Sequence, residues 1–248
     1  MDGIIIQARL GSTRLPNKIM LPFHDEKRLI DILIERIQAA NPQAMTILAT
    51  TTNAKDDALI AVGSEHAIPV FRGSENNVLD RFIQAAEHYG IDRLIRVCSD
   101  NPFLQTDTFA TLFAAHDADP SADYVSFAFA DGTPTIKSHL GLFAELTTLR
   151  ALRQVGATTQ EQLAIEHVTH YIYTHPTEFK INLLPLPNAL EGRRDLRFTM
   201  DTPDDFALLQ ELYTSHEAQQ NLPTLLHLVD SHPEYGNRMQ ESIRQNNK

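Results

Sequence analysis

Short apolar runs alternate with amphipathic stretches along the first half of the chain, and this alternation constrains the fold more than any other feature. The runs occupy residues 3–8, 45–50, 68–71, 93–98 and 123–127. Most are dense in Ile, Leu or Val, as strands are when both faces of a parallel sheet are covered. Between them, apolar residues recur at helical spacing. The pattern predicts an α/β fold: a mostly parallel, twisted sheet with helices on both faces.

The pattern is less regular after residue 128. Here we predict helices at 145–155 and 161–174, and strands at 179–186 and 195–200. No change in composition divides the chain, so we predict one domain spanning residues 1–248. Within that domain, residues 129–194 are predicted to form a small inserted α+β subregion.

Two stretches near the C-terminus give local predictions. Thr202, Pro203 and Asp205 can supply the N-cap, the first-turn proline and the reciprocal acid of a capping box. A helix is therefore predicted to begin there. From Gln240 onward the sequence is polar, which predicts a frayed tail.

The charge balance and the single cysteine exclude several classes of protein. The formal net charge is −11, whereas proteins that hold nucleic acid through its phosphates usually present a basic surface. A lone cysteine, Cys98, cannot form a disulfide framework and fits a reducing compartment. The sequence shows neither a signal-peptide pattern nor an apolar run of membrane-spanning length. We therefore expect a cytoplasmic protein that binds neither nucleic acid nor membranes.

The first predicted strand continues into a basic loop that contains a glycine. Residues 9–18 read Arg-Leu-Gly-Ser-Thr-Arg-Leu-Pro-Asn-Lys. Backbone N–H groups around Gly11 and Ser12 can surround phosphate oxygens. Three cations add positive charge to the loop: Arg9, Arg14 and Lys18. The spacing matches neither a Walker A loop nor Gly-x-Gly-x-x-Gly, which disfavours P-loop NTPases and Rossmann dehydrogenases. The alternative is a solvated basic loop without a ligand.

Two aspartates occupy matching places, each at the end of a predicted strand and shortly before a proline. Asp100 lies in Ser-Asp-Asn-Pro after strand 93–98, and Asp201 lies in Asp-Thr-Pro after strand 195–200. Open α/β sheets bind ligands at the carboxyl ends of their strands. Mg²⁺ prefers one or two carboxylates together with water and phosphate oxygens. As a pair the acids predict a Mg²⁺ site, although singly they are explained as a turn residue and a helix-start acid.

Residues 5–18, which read Ile-Ile-Gln-Ala-Arg-Leu-Gly-Ser-Thr-Arg-Leu-Pro-Asn-Lys, resemble the opening signature of a known family. It comprises cytidylyltransferases of the spore-coat polysaccharide biosynthesis protein F type, relatives of the CMP-ketodeoxyoctulosonate and CMP-sialic acid synthetases. Asn17 stands where the family usually has Gly, and Asn tolerates a left-handed backbone better than other non-glycine residues. The resemblance implies a nucleotide-diphospho-sugar-transferase-like fold. It also implies transfer of CMP from CTP to a small acidic or sugar-type acceptor in surface polysaccharide or glycoconjugate biosynthesis.

The resemblance assigns further roles. The two strand-end aspartates match the metal-binding acids of the family. Residues 72–81, Arg-Gly-Ser-Glu-Asn-Asn-Val-Leu-Asp-Arg, resemble a segment near the nucleotide, which implies nucleotide contacts for Arg72 and Arg81. Glu166 and His167 begin a Glu-His-Val-Thr stretch that in the family lies toward the acceptor and the dimer contact. A zinc helix would need His-Glu-x-x-His, which this stretch is not.

These features predict a Mg²⁺-dependent nucleotidyltransferase in which positioning and charge neutralisation dominate catalysis. We predict catalytic roles for Arg9, Lys18 and Asp100, metal binding by Asp100 and Asp201, and acceptor binding by Glu166 and His167. We predict nucleotide contacts from Gln7, Ala8, Arg9, Gly11, Ser12, Arg14, Lys18, Arg72 and Arg81. No general base is apparent. The alternatives are a nucleotide-sugar-dependent glycosyltransferase, which would be expected to carry Asp-x-Asp, and a non-catalytic nucleotide-binding protein.

The irregular region also predicts a homodimer. Apolar and aromatic side chains concentrate there: Phe127, Phe129, Leu140, Leu142, Phe143, Val168, Tyr171, Ile172 and Tyr173. Such surface is often covered by a partner subunit, and relatives of this type are expected to dimerise through the corresponding insert. The alternative is that these side chains fold back onto the sheet of their own subunit.

Overall fold

The structure is a computed structural model that describes residues 1–214 and 221–246. Its strands are β1 (Asp2–Gln7), β2 (Pro22–His24), β3 (Lys27–Arg28), β4 (Met45–Thr51), β5 (Val70–Gly73), β6 (Arg93–Cys98), β7 (Tyr124–Ala128), β8 (Glu145–Thr148) and β9 (Ile181–Pro185). Its helices are α1 (Leu29–Ala40), α2 (Ala58–Glu65), α3 (Val78–His88), α4 (Phe109–Ala118), α5 (Leu149–Thr158), α6 (Gln162–Glu166), α7 (His170–Thr174), α8 (Pro203–Tyr213), α9 (Leu222–Ser231) and α10 (Pro233–Gln245).

Seven of these strands form one sheet in the order β5-β4-β1-β6-β8-β7-β9. Neighbouring strands are parallel except where β8 runs antiparallel to β6 and to β7. Strands β2 and β3 form a separate two-stranded ribbon. The predicted fold class, a mostly parallel sheet in an α/β domain, is confirmed.

Each face of the sheet carries a hydrophobic core. Ile4 and Ile6 of β1 pack in one cluster with residues of α1 and α4, whereas Ile5 packs in the other with residues of α3 and α5. Successive side chains of a strand point to opposite faces, so a strand covered on both sides must be apolar throughout. This is the physical reason for the unbroken apolar runs in the sequence.

Two predicted elements are wrong because an apolar run reports burial but does not by itself distinguish a strand, a helix and a buried loop. Residues 195–200 do not form a strand, although most of them are buried. Two of their N–H groups bind loop carbonyls instead: Phe198 donates to His139 at 3.1 Å and Met200 donates to Asp100 at 3.0 Å. Residues 145–155 are not one helix, because Glu145–Thr148 pairs with β6 and β7 before α5 begins.

Two other predictions are also corrected. Residues 161–174 form two short helices, interrupted near Val168, whose φ of 37° places it in the left-handed region. The tail is not frayed from Gln240, since α10 continues to Gln245 and buries Met239 completely. Residues 247 and 248 lie outside the described part of the chain. Polarity alone mispredicted this helix because only one narrow face of it packs inward.

The region 129–194 contributes two strands, β8 and β9, to the main sheet. Most of the apolar side chains that suggested a dimer are buried within their own subunit, including Phe127, Leu142 and Ile172. For these residues the alternative, folding back onto the subunit's own sheet, is correct. Within residues 1–214 and 221–246, no helix is long and apolar enough to cross a membrane.

Candidate active site

The loops that follow β1, β4, β5 and β6 lie at one edge of the sheet, because these four strands are parallel. The chain passes outward from β1 to β4 and β5 and then returns to place β6 on the other side of β1. The strand order therefore reverses at β1. Open α/β sheets bind ligands at the carboxyl ends of their strands near such a reversal.

The loop after β1 is held in shape by its own backbone and by a buried acid. Asn17 has a φ of 56°, which confirms the left-handed position expected there. Its N–H group donates to the Leu10 carbonyl at 3.3 Å. The Leu10 N–H group in turn donates to Asp56 at 2.7 Å. Asp56 is 2% exposed and also accepts the Thr51 hydroxyl, so the loop is tied to the end of β4.

Lys18 brings the two predicted metal-binding acids together. Its Nζ atom donates to Asp100 at 2.7 Å and to Asp201 at 3.4 Å, and also to the Met200 carbonyl. Burial alone would lower the pKa of Lys18, but the attraction of Asp100 and Asp201 raises it overall. Lys18 is therefore charged at neutral pH, and its charge offsets the repulsion between the two carboxylates.

Local structure places each acid at this edge. Asp100 is the second residue after β6, and Asp201 lies two residues before the start of α8. Helix α8 begins with the predicted capping box: Thr202 accepts the Asp205 N–H at 3.1 Å, and Asp205 accepts the Thr202 N–H at 3.0 Å. The Asp201 N–H also donates to Asp205, at 3.0 Å. The helix start therefore fixes the backbone of the second acid.

Two arginines contact the carboxylate of Asp201 as well. Arg14, from the first loop, lies 3.2 Å from one carboxylate oxygen, and the buried Arg197 lies 2.9 Å from the other. Arg197 also forms a bidentate pair with Asp205, at 2.8 and 2.9 Å. Burial alone would raise the pKa of Asp205, but the bonds from Arg197 and Ser242 lower it well below its ordinary value.

The acids fit a magnesium ion as a pair. Both carboxylates reach the same ammonium group, so they lie close enough to approach a single cation. Among residues 1–214 and 221–246 no cluster of three or more His, Cys, Asp or Glu side chains could hold a metal. Mg²⁺ needs only one or two protein carboxylates when phosphate oxygens and water complete its shell.

The remaining residues predicted to contact the nucleotide differ in their exposure and in whether their polar groups are already hydrogen-bonded. Arg9 and Gly11 are exposed and Ser12 is half-buried. The Ala8 N–H is engaged with the Ala49 carbonyl at 3.1 Å. Arg72 donates to the carbonyls of Thr51 and Asn53 at 2.9 and 3.1 Å, which fixes the loop after β4.

Arg81 is fully buried at the start of α3. Its one bond in the described part of the chain goes to the Ser74 carbonyl at 2.8 Å, which leaves Nε and one terminal nitrogen without partners. Burial and then the charge of Arg9 lower the pKa of Arg81 to about 10. In this conformation Arg81 supports the 72–77 loop from behind, and its free donors are a feature that buried groups rarely show.

A second buried network links the end of β1 to the region 166–169. Arg96 donates to Gln7 at 3.3 Å and to Glu145 at 2.7 Å, and Glu145 also accepts the hydroxyls of Thr169 and Tyr124. Burial and the neighbouring Glu145 raise the pKa of Tyr124. The side chain of Gln7 is thus held by Arg96 of the neighbouring strand β6.

The predicted acceptor residues are not part of the cluster around Lys18. Glu166 and His167 are exposed at the end of α6, whereas the hydrogen bonds of Lys18 go to Asp100, Asp201 and the Met200 carbonyl. The nearest buried anchor in sequence is Thr169, two residues after His167, through its bond to Glu145.

Sequence reasoning missed three residues that organise the site: Arg197, Asp56 and Glu145. Arg197 and Glu145 each lie within or beside an apolar run, whereas Asp56 is flanked by Lys55 and Asp57 and carries no such signal. A charged residue is almost never buried without a partner, so a charge inside an apolar run indicates a buried ion pair or hydrogen bond. The sequence does not show which residue is that partner.

The chain has relatives of known family. The sequence profile of a cytidylyltransferase family matches residues 3–229. An uncharacterised protein of Methanocaldococcus jannaschii is 34% identical over 242 residues, which covers 97% of this chain and 95% of the relative. The spore coat polysaccharide biosynthesis protein SpsF of Bacillus subtilis is 33% identical and covers 84% of this chain and 85% of the relative.

A solved structure resembles the whole fold. A cytidylyltransferase from Leptospira borgpetersenii superposes with a TM-score of 0.83 at 25% identity, covering 94% of this chain and 95% of that one. The similarity in sequence and in structure therefore extends over nearly the full chain.

Proposed function

Because this chain belongs to the cytidylyltransferase family and is a nucleotidyltransferase, we propose that it transfers CMP from CTP to a small acidic or sugar-type acceptor with release of pyrophosphate. The observation that carries the proposal is the convergence of Asp100 and Asp201 on Lys18, at the end of a loop rich in cations. A spore coat polysaccharide protein among the relatives supports surface polysaccharide or glycoconjugate biosynthesis as the setting.

In the proposed reaction an oxygen of the acceptor attacks the α-phosphorus of CTP, and the bond to the β-phosphate oxygen breaks. Arg9, Arg14 and Lys18 bind the triphosphate and neutralise the charge that grows on the leaving pyrophosphate. Backbone N–H groups around Gly11 and Ser12 bind phosphate oxygens. Gln7 and Ala8 contact the base edge through backbone groups other than the Ala8 N–H, which is bonded to Ala49, and Arg72 lies beside them.

Asp100 and Asp201 would hold Mg²⁺. When bound, the ion would neutralise phosphate charge and favour ionisation of the acceptor hydroxyl. Lys18 holds the two carboxylates within reach of one cation. The chain's own residues thus prepare the site before any ligand enters.

Arg81 is proposed to contribute to nucleotide binding from beneath the 72–77 loop. The observation that supports this role is its two buried donors without partners. We propose acceptor contacts from Glu166 and His167, whose side chains are exposed to an incoming ligand. We further propose that the protein is a cytoplasmic homodimer whose subunits meet through the region 129–194.

The test is pyrophosphate release by the purified protein with Mg²⁺, a panel of sugar acids and sugar phosphates, and each of CTP, UTP, ATP and GTP. We expect release with CTP and one class of acceptor. Faster release with another nucleotide would replace CTP but keep the reaction class. No release with any nucleotide and acceptor, together with tight nucleotide binding, would favour a non-catalytic nucleotide-binding protein.

A further inference from the structure

Helix α10 contacts residues at the edge of the sheet where Asp100 and Asp201 lie, although the polar sequence from Gln240 onward predicted a frayed tail. The Ser242 hydroxyl donates to Asp205 at 2.6 Å, and the Asn246 side chain accepts a bond from Arg14. The Arg197 N–H lies 3.5 Å from the sulfur of the fully buried Met239. Helix α10 and the residue that follows it thus contact Asp205, Arg197 and Arg14 around Asp201.

These contacts form a continuous path that ends on the second metal acid. Ser242 binds one carboxylate oxygen of Asp205, Arg197 binds both, and Arg197 also binds Asp201 at 2.9 Å. Arg197 is 1% exposed and Asp205 is 3% exposed. A buried guanidinium shared by two carboxylates has one low-energy arrangement, because its planar donors match the acids in a fixed fork.

We propose that Arg197, Asp205 and Ser242 are positioning residues that hold the Asp201 carboxylate for a divalent cation. Helix α10, which carries Ser242, thereby contributes to the site. The inference rests on the proposed function of Asp201 as a metal acid. Replacing a group that orients a metal-binding carboxylate typically costs about 10- to 100-fold in metal affinity or activity. A substitution that keeps the charge but loses the fork therefore isolates the positioning effect.

The main variant is Arg197→Lys, which keeps the positive charge beside Asp201 but cannot form the bidentate pair. Its matched control is Arg193→Lys, because Arg193 also bridges two acids, Asp195 and Asp230, outside the site. Ser242→Ala removes one neutral hydroxyl, and Ser231→Ala is its control in the preceding helix. Asp201→Asn is the reference for loss of the acid itself.

Binding of Mn²⁺ alone is measured by the electron paramagnetic resonance signal of the free ion, with circular dichroism as the check of folding. We expect Arg197→Lys to weaken Mn²⁺ binding by about 10-fold or more. Ser242→Ala should weaken it in the same direction, and both controls should bind as the wild type does. In turnover assays we expect excess Mn²⁺ to restore the kcat of Arg197→Lys, which a general loss of structure would not allow.

Three outcomes decide the matter. Mn²⁺ binding that is lost in Asp201→Asn but unchanged in both Arg197→Lys and Ser242→Ala overturns the positioning inference and leaves the proposed function in place. Unchanged binding in Asp201→Asn overturns the metal site and the inference with it. If Arg197→Lys does not fold, the less buried Ser242→Ala decides: weaker binding supports the proposal and unchanged binding overturns it.

Discussion

The ammonium group of Lys18 lies between two carboxylates at the edge of the sheet. The side chain is 12% exposed. Exposed ion pairs contribute little, but a charge cluster shielded from water can hold a defined geometry. The same three side chains would face the triphosphate of a bound nucleotide.

Replacing either acid by its amide should abolish turnover. Asp100→Asn and Asp201→Asn keep the side-chain shape but remove the charge that would hold the metal ion, so we expect losses of about 100-fold or more. Pyrophosphate release measures the effect and circular dichroism verifies the fold. Asp204→Asn, an exposed acid of the same helix start, is the control and should retain activity. Near-normal activity of either site variant would exclude the two-acid site.

Replacing Lys18 should affect kcat more than substrate affinity. The charge on the β-phosphate grows as pyrophosphate leaves, so a cation placed there stabilises the transition state more than the ground state. We expect Lys18→Ala to lower kcat and kcat/KM together, with Lys27→Ala as a control because Lys27 pairs with Glu35 on the surface. If only KM rises in steady-state kinetics, Lys18 is a binding residue without a special role in the transition state.

At the scale of elements, the junction of α6 and α7 is held by tertiary contacts against its local preference. Val168 is β-branched and adopts a left-handed φ of 37°, which is costly for such a residue. It is fully buried, and the next residue, Thr169, binds Glu145 at 2.8 Å. Burial and this bond therefore fix the turn that follows the exposed Glu166 and His167.

Thr169→Val should destabilise the protein while keeping the volume of the side chain. The change leaves the buried Glu145 carboxylate with one donor fewer, and we expect a loss of about 1–3 kcal/mol in the free energy of unfolding. Urea denaturation measures it. Thr174→Val, at an exposed threonine of the same helix, should change stability by less than about 0.5 kcal/mol. Equal effects of the two variants would show that the bond to Glu145 contributes nothing.

The homodimer prediction depends on fewer exposed apolar residues of the region 129–194 than the sequence suggested. Most apolar residues of the region 129–194 are buried, but Leu163 is 50% exposed and Leu183 is 37% exposed. Leu183 lies on β9, an outer strand of the sheet. An outer strand with an exposed leucine and no lysine offers an edge to a second copy.

We expect light scattering at micromolar concentration to give twice the chain mass of 27.9 kDa. Leu183→Lys should shift the mass toward the monomer, because a lysine on an outer strand blocks edge pairing. Ile60→Lys changes an equally exposed apolar residue on α2, outside this region, and should leave the mass unchanged. A wild-type mass near that of one chain contradicts the homodimer.

The sequence alone determined the features that depend on neighbours along the chain. Strands β1, β4, β5, β6 and β7 were predicted because strands covered on both faces must be apolar. The capping box at Thr202 and the left-handed Asn17 follow from local backbone chemistry. The two aspartates were predicted to meet because the carboxyl ends of strands share an edge; they do meet on Lys18, although the run before Asp201 is not a strand.

Tertiary structure decided the partners of charges and the pairing of irregular segments. The local sequence does not show the partners of Arg197, Asp56 and Glu145. Asp56 accepts the Leu10 N–H from 46 positions away, and Glu145 accepts a bond from Arg96 at a separation of 49 positions. The polar helix α10 packs against the site through the fully buried Met239 and through polar contacts that include those of Ser242 and Asn246. Its polar composition alone therefore did not reveal this packing. Local pattern reports whether a residue is buried, whereas contacts across the chain decide what it is buried against.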